Sequence, residues 1–305
     1  MFKRFISCTA FFLLVMTAQA GEAPRVVVSI APVHSLVSGV MDGVAEPELL
    51  LSGGNSPHNY LLKPSQMRSL QQADVVIWVG ESVESFLVKT VARLNQDKTI
   101  IELMHVEGLL TLSSREGGAW ETQHEDSHDH HEHGETDGHL WLDPTNAGRM
   151  VETFVAQLSA MDPQHAELYR ANGLRMQQQL AALDQRLKQM LAPVTHIPYL
   201  VLHDAYQYFE QHYQLNPVGA VMVDAGRKPG ARRLKEIRER ARQKNVRCVF
   251  SEPQFQDKFL NVITEETNIS NATLDPMGID FVPGKDLYFD LMDELARDLL
   301  DCLNG

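Results

Sequence analysis

No apolar run in this sequence reaches the roughly 20 residues that a membrane-spanning helix needs. The longest, Phe5 to Met16, stops at twelve and sits at the very start. Positive charge is also scarce: 27 Lys and Arg face 40 Asp and Glu, for a formal net charge of −13. So acidic a chain is a poor partner for nucleic acid and favours cationic ligands. Cysteine is nearly missing, found only at positions 8, 248 and 302, which is too few to staple a small disulfide scaffold. What is present in quantity is apolar residue, 44% of 305, ample for two cores.

The start reads as an export signal rather than as structure. Lys3 and Arg4 supply the positive region, Phe5 to Met16 the apolar stretch and Ala18-Gln19-Ala20 the cleavage site. The mature chain then begins at Gly21. Cys8 lies inside the apolar stretch and not after it, so no lipid anchor is expected. Cleavage removes the cations Lys3 and Arg4 and moves the formal charge from −13 to −15. It also leaves Cys248 and Cys302 as the only thiols in an oxidising compartment. A single disulfide is the expected outcome, and a reduced buried pair the other reading. Such a bridge closes a long loop, which is worth about 4 kcal/mol on the chain-entropy model.

From Arg25 onward, short apolar runs alternate with segments of helical period. That is the pattern of an α/β protein with mainly parallel sheets flanked by helices. Val26–Ile30 and Val75–Val79 read as strands of a first lobe, with helical material at Ser65–Gln72 and Glu84–Leu94. Tyr199–Leu202, Val218–Met222, Arg247–Ser251 and Asn271–Leu274 read as strands of a second, closed by a helix from about Asp286 to Cys302. Between them Met176, Leu180, Leu183, Leu187 and Met190 recur at helical spacing, after Asp162 as cap and Pro163 as first helical residue. The expected organisation is therefore a signal over residues 1–20, one lobe over 21–161, a long joining helix over 162–192 and a second lobe over 193–305.

Residues 113–138 lack apolar periodicity and read as a loop. Within it His124, His128, His130, His131 and His133 are interleaved with carboxylates, a composition suited to divalent metals such as zinc. His124-Glu125-Asp126-Ser127-His128 also matches the H-E-x-x-H pattern of zinc proteases, but that motif needs a helix with an apolar face, and none is present. The two N-x-S/T sequons at Asn268 and Asn271 are uninformative beside a bacterial type of signal. The basic stretch Arg227 to Arg247 reads as an amphipathic helix with a solvated face.

Three further histidines sit where strand ends meet connections, which is where open α/β sheets place ligands. His58 follows a Gly- and Pro-containing turn, His139 opens His139-Leu140-Trp141-Leu142-Asp143-Pro144, and His203 ends a strand with Asp204 after it, able to orient a ring. His34, His105, His165, His196 and His212 read as surface or helix-end residues.

Three segments, Ser56-Pro57-His58-Asn59-Tyr60-Leu61-Leu62-Lys63-Pro64-Ser65, Gly138-His139-Leu140-Trp141-Leu142-Asp143-Pro144 and His203-Asp204-Ala205-Tyr206-Gln207-Tyr208-Phe209, resemble the metal-binding segments of periplasmic zinc receptors of the ZnuA type. The resemblance extends over essentially the whole mature chain. It implies two α/β lobes joined by a rigid helix, with zinc held between them by His58, His139 and His203. It also implies delivery of the ion to the inner-membrane permease of an ABC transporter, by a monomer in the periplasm. Histidine at 203, where manganese-binding relatives carry glutamate, speaks for zinc. For the fourth ligand Pro57 stands where some receptors have glutamate. Asp275 aligns with a carboxylate of the manganese relatives; it binds directly, caps a turn, or leaves the position to water or chloride. The rival functions are a zinc-dependent hydrolase and a periplasmic zinc buffer or chaperone.

Overall fold

The computed structural model of the chain describes residues 22–94, 97–115, 136–223, 225–226, 228–255, 258–265 and 267–305. The first lobe is built on β1 (Val26–Val28), α1 (Ala31–Val40), β2 (Glu48–Leu49), α2 (Pro64–Gln72), β3 (Val75–Trp78), α3 (Glu81–Glu84), α4 (Val88–Val91) and β4 (Thr99–Glu102). Its strands lie in the order β2-β1-β3-β4, every pair parallel. Parallel strands are covered on both faces, which is why Val26–Val28 and Val75–Trp78 are apolar throughout instead of alternating. The helix expected over Glu84–Leu94 is broken into α3 and α4.

A two-stranded antiparallel ladder follows, β5 (Leu112–Ser113) with β6 (Thr136–Asp137). The chain then runs through α5 (Pro144–Met161) and α6 (Ala166–Leu191). Asp143 caps α5 by accepting from Thr145 N at 2.6 Å, and Pro144 takes the first turn, where a missing N–H costs nothing. The joining helix starts later than expected. Asp162 closes α5, and its carboxylate takes bonds from His165 Nδ1 (2.6 Å) and the Tyr169 hydroxyl (2.8 Å), so the chain turns before α6 begins. From there α6 runs 26 residues, about 39 Å at helical rise. It buries Tyr169, Met176, Leu180, Leu183, Leu187 and Leu191 along one stripe. Gly173 lets α6 approach α5 closely, since a Cβ there would collide with Val155.

The second lobe contains β7 (Tyr199–His203), α7 (Gln207–Tyr213), β8 (Pro217–Met222), α8 (Ala231–Gln243), β9 (Cys248–Ser251), α9 (Lys258–Thr264), β10 (Ser270–Thr273) and α10 (Leu287–Asn304). Its strands run parallel in the order β10-β9-β7-β8. A disulfide joins Cys248 on β9 to Cys302 on α10. Among the described residues no helix is long and apolar enough to cross a membrane.

One apolar core runs through both lobes, from Val28 and Leu36 through Met176, Leu183 and Leu187 to Phe250, Leu291 and Leu295. Smaller cores cover the outer face of each sheet. Polar bonds tie the same seam: Trp141 Nε1 donates to Pro276 O (2.9 Å), the Tyr288 hydroxyl to Trp141 O (2.8 Å) and Tyr288 N to Ser35 Oγ (2.9 Å). Two of the histidines read as surface or helix-end residues are more enclosed than a surface place would leave them, His212 at the end of its helix. His34 is buried on α1 with Nε2 at 2.9 Å from Pro47 O. His212, on α7, reaches Asp184 on α6 (2.7 Å) and Asp143 (3.3 Å).

Candidate metal centre

The C-terminal ends of the parallel strands face one another across the seam, and the three singled-out histidines meet there. His58 sits in a single 3-10 turn, Pro57–Asn59, that Pro57 starts. His139 follows β6 and enters the turn Leu140–Leu142, whose side chains are all buried. Gly138 is required before it, because a Cβ would strike Ser82 and Val83. His203 is the last residue of β7. His139 and His203 are buried and His58 half-buried.

One ring nitrogen from each of the three lies within 4.8 Å of the others, and the ring centroids are 5.1 to 5.3 Å apart. His58 Nε2 and His139 Nε2 are 3.3 Å apart. Tetrahedral zinc with Zn–N bonds of 2.0–2.1 Å separates its nitrogens by about 3.3 Å. The cavity they line with Trp141, Glu252 and Phe255 measures about 10 Å³, room for one ion or water and no organic molecule.

Two of the rings are backed by buried carboxylates. Asp137 Oδ1 stands 2.7 Å from His139 Nδ1 and also accepts from His139 N (3.0 Å). Glu252 Oε1 faces His203 Nδ1 at 3.4 Å, and neither atom has a formed hydrogen bond among the described residues. Both contacts turn Nδ1 outward and leave Nε2 for the cavity, the arrangement that fixes a ligating tautomer. Among the described residues no carboxylate stands behind His58; its ring meets the backbone of Ser82 instead. Burial, then the charges of His203 and His139, hold its pKa well below 6.5 and keep it neutral. At His203 burial also opposes charge, but Glu252, Asp204 and Asp137 outweigh it and raise the pKa. Three imidazoles, neutral once an ion arrives, suit zinc better than oxygen-seeking cations.

Asp275 is not brought into this group. Its Oδ1 accepts from Gln254 Nε2 and Met277 N (both 2.9 Å), and its Oδ2 from Ile279 N (2.6 Å), so it caps the turn after β10. Nor does Asp204 orient His203. Arg115 takes it with two bonds, at 3.1 and 2.6 Å, and also pairs with Glu210. Asp137 and Glu252 were missed in the sequence, although Glu252 follows β9 directly and thus stands at a strand's C-terminal end. His124, His128, His130, His131 and His133 lie outside the described residues.

A family model described as "ZnuA: Zinc-uptake complex component A periplasmic" matches residues 26–302. The chain is 38% identical over 316 aligned residues to the high-affinity zinc uptake system protein ZnuA of Brucella suis biovar 1 (strain 1330), covering 93% of each. It is 37% identical over 288 residues to the protein of the same name from Yersinia pestis, covering 91% of each. A crystal structure of a ZnuA deletion mutant with zinc bound superposes with a TM-score of 0.75 at 25% identity, over 92% of this chain and 98% of that one.

Proposed function

The chain belongs to the ZnuA family of periplasmic zinc-uptake components, and from that premise we propose that it captures one zinc ion at His58, His139 and His203. It then surrenders the ion to the permease of an ABC importer. The family is one of receptors, not enzymes, and zinc is the cargo. The carrying observation is that nitrogens from two loops of the first lobe and one strand end of the second lie within 4.8 Å. Asp275 is occupied as a turn cap, so water or chloride completes the tetrahedron. The receptor acts as a monomer in the periplasm, after removal of residues 1–20. A hydrolase reading needs room for a substrate beside the metal, and about 10 Å³ gives none.

The test is His203→Ala in a chain from which residues 121–135 are deleted, so that the loop histidines cannot mask the result. One tight zinc site should weaken by at least about tenfold, roughly 1.4 kcal/mol. Unchanged tight binding would place the site elsewhere.

A further inference from the structure

The sheet of the second lobe has two edges, and they are finished differently. At β8 the basic face of α8 reaches over the strand: Arg233 Nη2 donates to Ala220 O (3.0 Å) and Arg240 Nε to Val218 O (2.8 Å). At β10 the strand borders a groove of about 520 Å³ that contains no Lys or Arg among its lining residues. Ser270 N and Leu274 N bond back to β9. By the two-residue alternation of a strand, the N–H and C=O groups of Asn271 and Thr273 therefore point away from it, into the open side. Ser270, Asn271 and Thr273 are exposed. Unpaired edges of this kind accept another strand unless something covers them.

The wall opposite is α10. Leu291 and Leu295 are buried in it, and Glu294, Asp298 and Asp301 line the groove. Acidic groups outnumber the cations beside them: Arg297 acts on Asp298, and the Arg247 guanidinium lies against Gly305 at the end of the helix. The last turn of α10 holds no basic residue, so Asp301 stands against the negative end of the helix dipole. Burial, then Glu294 and Asp301, push the Asp298 carboxyl up to about 6. Among the described residues these carboxylates do not converge on a point as the three histidines do, so the groove is shaped for something longer than an ion. It is also walled off from the cleft: Gln254 lines the cleft cavity, while its amide bonds Asp275 on the groove side.

We propose that this groove is a docking surface for an extended, Lys- or Arg-rich segment of a partner protein, which adds to β10 as a fifth strand and sets alternate cations against Glu294, Asp298 and Asp301. Backbone pairing gives such a complex its register, and the alternating side chains give it selectivity.

The test uses the full mature protein loaded with zinc and a labelled nine-residue alternating Lys-Val peptide, read by fluorescence anisotropy. Saturable binding is expected, weakening at least about tenfold between low and physiological salt. An alternating Glu-Val peptide should not bind. The triple change Glu294→Gln, Asp298→Asn and Asp301→Asn should weaken binding about tenfold, with zinc affinity unchanged as the check on folding. Asn271→Pro, which removes an outward N–H without touching the ladder, should do the same, as should N-methylation of the peptide's central nitrogens on unaltered protein. Binding that survives N-methylation and Asn271→Pro but falls with the triple change is nonspecific attraction to an acidic patch, and overturns strand addition. Equal binding of the Glu-Val peptide, or none of the Lys-Val peptide, overturns the docking surface itself.

Discussion

The seam between the lobes differs in kind from one end to the other. Along α6 and α10 it is continuous apolar core, crossed by Trp141 and Tyr288 bonds. At its mouth it is three imidazoles carried by two loops and a strand end. The first end lowers free energy without any ligand, because apolar surface leaves water. On the proposed function, the second holds two buried rings and one half-buried ring whose remaining partner is the ion, so it favours binding over stability. A 26-residue α6 packed into a core shared by both lobes resists the wide opening that a flexible linker permits.

Changes far from the mouth should break stability and spare binding. Reducing Cys248–Cys302, which lies on the far side of the second lobe, should cost up to about 4 kcal/mol by the loop-entropy argument. Urea denaturation with and without reductant measures this. Calorimetry on the reduced folded protein should find zinc affinity within about twofold of the parent. Leu183→Ala, in the fully buried stripe of α6, should cost about 3 kcal/mol through the cavity it leaves, again with affinity unchanged once folded. A large affinity loss from Leu183→Ala would mean that the two ends are one cooperative unit.

Changes at the mouth should do the reverse. Asp137→Asn and Glu252→Gln keep shape but remove the charge behind His139 and His203. Each should lower zinc affinity about tenfold while moving the thermal midpoint little. If either leaves affinity intact, the carboxylate does not position the ring.

The same division explains what could be read in advance. Strands such as Val75–Trp78 and the stripe of α6 are legible because burial repeats along the chain, and a repeat needs no knowledge of partners. His58, His139 and His203 are legible because they end strands or enter turns within recognisable segments. What failed depends on single long-range partners. His34 and His212 read as surface or helix-end residues, and their enclosure shows only once Pro47, Asp143 and Asp184 are placed beside them. Asp204 looks like the partner of His203 until Arg115 claims it. Asp275 offered two readings, and three donors converging on its oxygens favour the cap.

The smallest effect sharpens the comparison most, because the two ends should respond to pH in opposite senses. On the proposed function zinc competes with protons at the mouth, and, against burial, the carboxylates that raise the His203 pKa, Glu252 first, strengthen the proton's side of that competition. Zinc affinity should therefore climb as pH rises from 5 to 7.5. At the spine end His212 bridges Asp143 and Asp184, the latter also bonded by Lys188. Burial opposes its charge, but the two carboxylates win and its pKa is raised above 6.5. A group protonated more readily in the folded state stabilises fully below its unfolded pKa, near 6.5, and loses that contribution as pH rises through the folded value. The contribution is on the order of 1 kcal/mol, as for a part-buried charge-assisted bond. Urea midpoints of the parent and His212→Gln should differ at pH 6 and converge toward pH 9, while zinc affinities of the two keep the same pH profile. A stability difference that does not vary with pH would show that His212 acts through packing alone.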